Sequence, residues 1–168
     1  PALVVTYDFL ETFGIKLAAG RDYNRENKTD PVKGILVNES LVRHMGWKSN
    51  EEALGKKFRS LSGDENIIGV FKDFQPTSFR ESGGPFLLNM KENPGEIYFF
   101  MKYAAIKTNG NNKKEIISFL ESKWTEFEKD KIFDYFILED ELAKLYNDEK
   151  NLGNLSLGFT MLILFVAA

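Results

Sequence analysis

Residues 151–168, NLGNLSLGFTMLILFVAA, carry no charged side chain, and from Phe159 onward every face a helix would present is apolar. A helix docked on a water-soluble core keeps a polar stripe, and this stretch has little to make one. At about 1.5 Å per residue such a helix falls just short of a hydrocarbon core of roughly 30 Å. The run also stops at its most hydrophobic point, without the Lys, Arg or polar cap that anchors a membrane span. Two readings are open: a buried C-terminal core helix, or a membrane helix of a longer protein cut just inside the bilayer. The unbroken apolarity favours the second. It puts the start of a truncated transmembrane helix at 155–168, with Leu155, Phe159, Leu162 and Phe165 among its lipid-embedded residues.

The segment before the run supports this and suggests its orientation. Residues 139–150 hold five acids (Glu139, Asp140, Glu141, Asp148, Glu149) against two lysines. Cytoplasmic flanks favour Lys and Arg, so this side reads as external. Leu138, Leu142, Leu145 and Leu152 recur at a spacing close to seven, which predicts a stalk helix over 139–154 packed along that stripe.

Residues 1–138 read as an extracytoplasmic α+β domain with a mixed or antiparallel sheet and packed helices. Strands are expected at 2–6, 15–20 and 34–37, with YDFLETF between the first two as a short helix. RDYNRENKTDPVK reads as a polar loop. Asn38 is placed to cap a helix through NESLVRHM that Gly46 ends, and NEEALG is a further helical turn. KKFRSL and ENIIGVFKDF bracket SGDE as a hairpin. PFLLNM, EIYFFMKYAAIKT and DYFIL read as later strands from their aromatic and branched residues, with KENPGE as a turn. In the helix after NGNN, Ile117, Leu120, Trp124 and Phe127 share one face.

Composition removes several function classes. The net charge is −3 and no more than two basic residues are adjacent, whereas nucleic-acid binding needs a concentrated basic footprint. Without cysteine there is no disulfide, thiol nucleophile or Cys-based zinc site. The lone His44 lies beside Arg43 and Met45 on a predicted helix with no nucleophile motif, and reads as structural. ALGKK has the Gly-Lys of a phosphate loop but lacks its Ser/Thr and its earlier glycine. The adjacent acids of EDEL point in different directions on a helix, and nothing brings Asp73 and Glu81 together as an acid/base pair. No catalytic, cofactor-binding or metal-ligating set is expected. Phe71, Phe74 and Phe79 surround Pro76 in FKDFQPTSF; they either plug a junction between subdomains or form a partner-contact loop.

Several blocks together resemble one family. YDFLETFGIKLAAGRDY (7–23), GILVNESLVRHMGW (34–47), LGKKF (54–58), IIGVFKDFQPTSF (67–79) and FILEDELAKLYNDEKNLGNLSLGFTMLILFVAA (136–168) are similar, in family order, to the extracytoplasmic domains of MacB/FtsX-type ABC transporter permeases, in the form found in Bacteroidetes-like bacteria. The resemblance implies a permease subunit of the bacterial inner membrane, with this domain facing the periplasm. It implies a porter-like α/β part plus a smaller β-rich part, and a domain 1–138 lacking its N-terminal portion. It also implies an ABC ATPase on a separate chain or domain, a permease dimer, a periplasmic partner or cargo, contact with membrane lipid, and no nucleic acid. The expected role is coupling of cytoplasmic ATP hydrolysis to periplasmic movement or export by mechanotransmission, not catalysis. The alternative is a membrane-tethered extracytoplasmic sensor or ligand-binding module.

Overall fold

A computed structural model describes residues 1–60, 63–74, 84–100, 102–110 and 112–144 of the chain. They divide into two compact units, Pro1–Lys107 and Thr108–Ala168.

In the first unit β1 (Ala2–Val5) is followed by α1 (Phe9–Phe13), β2 (Leu17–Gly20), α2 (Asp30–Lys33) and β3 (Gly34–Asn38). Next come α3 (Glu39–His44), α4 (Asn50–Ala53), β4 (Lys57–Ser60), β5 (Gly63–Phe71), β6 (Leu87–Met90) and α5 (Pro94–Phe100). The strands form one six-stranded mixed sheet in the order β1-β6-β3-β5-β2, with β4 also on β5. β1 runs parallel to β6, and β3 parallel to β5; β6 against β3 and β2 against β5 are antiparallel. Asn66 has Gly34 of β3 on one edge and Lys57 of β4 on the other, so β4 and β2 succeed each other along the edge of β5 away from β3.

The continuous apolar run of β3 now has its reason: all five residues are buried because the sheet is covered on both faces. Ile35 and Val37 join Leu41, Val42, Ala53, Ile67, Val70 and Leu87 under α3 and α4. Leu36 points the other way, into a cluster with Val5, Leu10, Phe71 and Leu88 under α1. Each fully buried aliphatic contributes about 1.5–3 kcal/mol relative to exposure, so this central strand carries much of the core.

Three local expectations are corrected. The polar loop over 21–33 contains the helical turn α2, with Pro31 in its first turn and the Asp30 side chain buried. The expected strand 96–108 is instead α5 followed by irregular chain at 102–108. Asn93 sets this: its side-chain oxygen accepts from the Gly95 N–H at 2.9 Å, its carbonyl accepts from Ile97 N–H at 3.0 Å, and Pro94 occupies the first helical position. DYFIL (134–138) likewise joins no sheet. Phe133 packs on Trp124 (ring centroids 6.3 Å) and stacks on Tyr135 (5.5 Å), so the aromatics of this stretch line a helix.

That helix is α6 (Lys113–Phe127), and a second helical stretch covers 138–144. Among the described residues the second unit has no strand, so the smaller β-rich part implied by the resemblance has no counterpart there. The shared face of α6 is half-buried at Ile117 and Leu120 but opens to 39% exposure at Trp124 and 86% at Phe127.

Candidate functional site

The polar centre of the first unit is built where β3, β5 and α3 meet. Asn38 ends β3 and caps α3: its Oδ1 accepts from the N–H of Leu41 at 3.0 Å and of Phe86 at 2.8 Å. Its Nδ2 donates to the Gly84 carbonyl at 3.0 Å and to Asp73 Oδ1 at 2.8 Å. Asp73 also accepts from Ser40 N–H (2.9 Å), Ser40 Oγ (2.8 Å) and Arg43 (2.5 Å), and Arg43 donates to Ser40 Oγ at 2.7 Å. The blocks VNES and FKDF, 35 residues apart at Asn38 and Asp73, thus meet in one clasp. It holds the chain at Asp73 and again at Gly84 and Phe86, the two flanks of segment 75–83. Beside it Phe74 meets Phe71 in a tilted contact and Phe86 edge-to-face, with centroids 5.8 and 5.7 Å apart.

A second polar tie is Arg21 to Asp30, a two-pronged pair at 2.7 and 2.8 Å that Asn24 N–H joins at 3.1 Å. Burial alone would raise the Asp30 carboxyl, but Arg21 and Asn24 outweigh it and hold it below its usual value. At Asp73 burial is again the largest influence, and hydrogen bonds from Arg43 and Ser40 again bring the net shift down. Carboxyls shifted this way favour the folded state fully above their ordinary value of 3.8, and cease to as pH falls through the lower folded value. Asp22, which burial raises, acts in the opposite sense. We therefore expect the urea midpoint of the wild type to fall more steeply below about pH 4 than that of Asp73→Asn. Parallel curves would remove Asp73 as an acid-sensitive tie.

The residues singled out from sequence fall in different places. Phe71 is 0% exposed and belongs to the core, so it offers a partner nothing to touch; Phe74, half-buried, packs on it. Phe79 and Glu81 lie outside the described residues, as do Leu145, Leu152, Leu155, Phe159, Leu162 and Phe165. Leu138 and Leu142 stand four residues apart on helical 138–144, 46% and 38% exposed. His44 is exposed on α3. The clasp has only a partial signature in the sequence: Asn38 stands where a helix cap belongs, but nothing local to Asp73 marks its partners. Among the described residues no group of three or more His, Asp or Glu could hold a metal ion, and no helix is long and apolar enough to cross a membrane.

Comparison with known proteins bears on the fold. No protein-family profile and no curated protein matches the chain. Two solved structures share its architecture. The periplasmic region of MacB from Actinobacillus actinomycetemcomitans gives a TM-score of 0.55 at 16% identity, over 84% of this chain and 63% of that one. A domain of a putative permease protein from Porphyromonas gingivalis gives 0.50 at 20% identity, over 84% of this chain and 70% of that one. The chain thus has the fold of the MacB periplasmic region and spans 63% of that region's length.

Proposed function

We propose that this chain is the extracytoplasmic domain of an ABC transporter permease subunit in a bacterial inner membrane, facing the periplasm. The observation that carries the proposal is the likeness to the MacB periplasmic region over 84% of the chain. The charge-free sequence 151–168 supports the membrane connection. In this reading 1–138 is the extramembrane body, 139–154 a stalk helix and 155–168 the start of a transmembrane helix. The domain is non-catalytic. An ABC ATPase, acting through the rest of the permease, drives it, and two permeases pair. Its motion acts on a periplasmic partner or cargo.

Such a transmitter needs rigid packing more than reactive side chains. Leu138 and Leu142, one turn apart and partly exposed, would start the stripe that holds the stalk, continued in sequence by Leu145 and Leu152. A buried, unpaired carboxylate in that seam is costly. In the full-length permease reconstituted with its ATPase, Leu142→Asp should leave ATPase binding intact while transport per ATP falls severalfold. Unchanged coupling would remove the stalk from the mechanism. A full reading frame with no membrane span and no neighbouring ATPase gene would remove the permease assignment itself.

A further inference from the structure

β1 and β6 are parallel neighbours, so their chains leave the sheet side by side, at Thr6 and at Lys91. Lys91 N–H still donates to the Val5 carbonyl at 3.2 Å, which fixes the backbone at the rim. Between the exits lies a crevice of about 220 Å³ lined by Thr6, Tyr7, Arg25, Lys91, Glu92 and Ile97. In open α/β sheets ligands bind in crevices outside the carboxyl ends of parallel strands, and this rim is the corresponding place on the β1–β6 pair.

Lys91 is the unusual member. It is 8% exposed, yet among the described residues its ammonium has no hydrogen bond or ion pair. Among the described residues the sealed side-chain atom without a partner is Asn89 Oδ1, so the Lys91 ammonium is not sealed off, and Lys91 is one of the residues lining the crevice. An ammonium whose stem is buried and whose head is unpaired gains from a fixed counter-charge. The other cation of the wall is already matched. Arg25 pairs with Asp8 at 2.5 Å and lies over the Tyr7 ring at 4.5 Å, and the Glu92 carboxylate sits close enough to Tyr7 to raise its phenol, second only to burial.

We propose that this crevice binds a small organic monocarboxylate, with Lys91 as the charge partner of the carboxylate. Lys91 is the cation of the wall without a counter-ion, and the Glu92 carboxylate near it disfavours a ligand with more than one negative charge. A phosphate dianion would meet the Glu92 carboxylate in the same wall. A neighbouring depression of about 380 Å³ shares Glu92 and gives room for the rest of the molecule.

The test is an amide-resolved NMR titration of the 168-residue chain in non-ionic detergent, with sodium acetate and inorganic phosphate as probes at constant ionic strength. Acetate should give saturable shifts centred on Thr6, Tyr7, Lys91 and Glu92. Lys91→Met, which keeps the unbranched stem, should weaken binding about tenfold or more, while Lys48→Met changes nothing. Shifts linear in acetate, saturation centred elsewhere, full affinity in Lys91→Met, or phosphate saturating below acetate would each overturn the proposal. If Lys91→Met does not fold, the location and saturability of the wild-type shifts decide alone.

Discussion

Asn38→Leu should cost the first unit about 3–5 kcal/mol of unfolding free energy, enough to leave a domain of ordinary stability largely unfolded. The residue is 2% exposed, and its amide serves four partners: Leu41 N–H, Phe86 N–H, the Gly84 carbonyl and Asp73. Leucine fills the space but removes the helix cap, worth about 1 kcal/mol, and strands the backbone groups it served. Asp73 loses one donor but keeps Arg43 and Ser40, so the damage falls on the backbone groups of Leu41, Gly84 and Phe86, the first of them buried. Ser40→Ala takes only the hydroxyl contacts and should cost about 1 kcal/mol. Urea unfolding of the three proteins checks the order. A loss for Asn38→Leu no larger than for Ser40→Ala would mean that the clasp does not hold the 84–86 strand entry.

Gly69→Ala should destabilise by about 2–4 kcal/mol, opposite in sign to the small gain alanine brings at an ordinary strand position. Gly69 pairs across the sheet with Gly20 and sits between β2 and β3. A methyl group there would run into the Arg21 carbonyl and lie 2.9 Å from the Leu36 side chain. The Arg21 backbone cannot retreat freely, because its N–H donates to the Ile68 carbonyl and its side chain is clamped on Asp30. Hydrogen exchange should therefore show Leu17–Gly20 losing protection before β3 does. Stabilisation, or uniform loss across the sheet, would contradict this tight crossing.

Much of the architecture was legible because its signals act within a few residues. Asn38 caps α3 three residues on, and the Lys57–Ser60 and Gly63–Phe71 strands form the expected hairpin, although Gly63, Asp64 and Glu65 of the expected SGDE turn belong to the second strand. The unbroken apolarity of GILV marked a strand buried on both faces. Where two local signals competed, sequence alone chose wrongly. At 94–100 the aromatics favour a strand and Asn93-Pro94 favours a helix start; the helix forms, and Asn93 makes the bonds that begin it. Strand propensity is realised only beside another strand. DYFIL met the same outcome against Trp124 and α6.

The chain by itself determined the α+β class, the places of most strands and caps, and the absence of thiol chemistry, since each depends on local pattern or on residue types present. Only tertiary structure decided that Phe71 is core, that Asp73 is held by Arg43 and Ser40, and that Lys91 is buried with no partner for its ammonium among the described residues. Those facts depend on strands far apart in sequence meeting in a particular order and register. A side chain's burial and partners come from that meeting, and its neighbours along the chain carry no record of it.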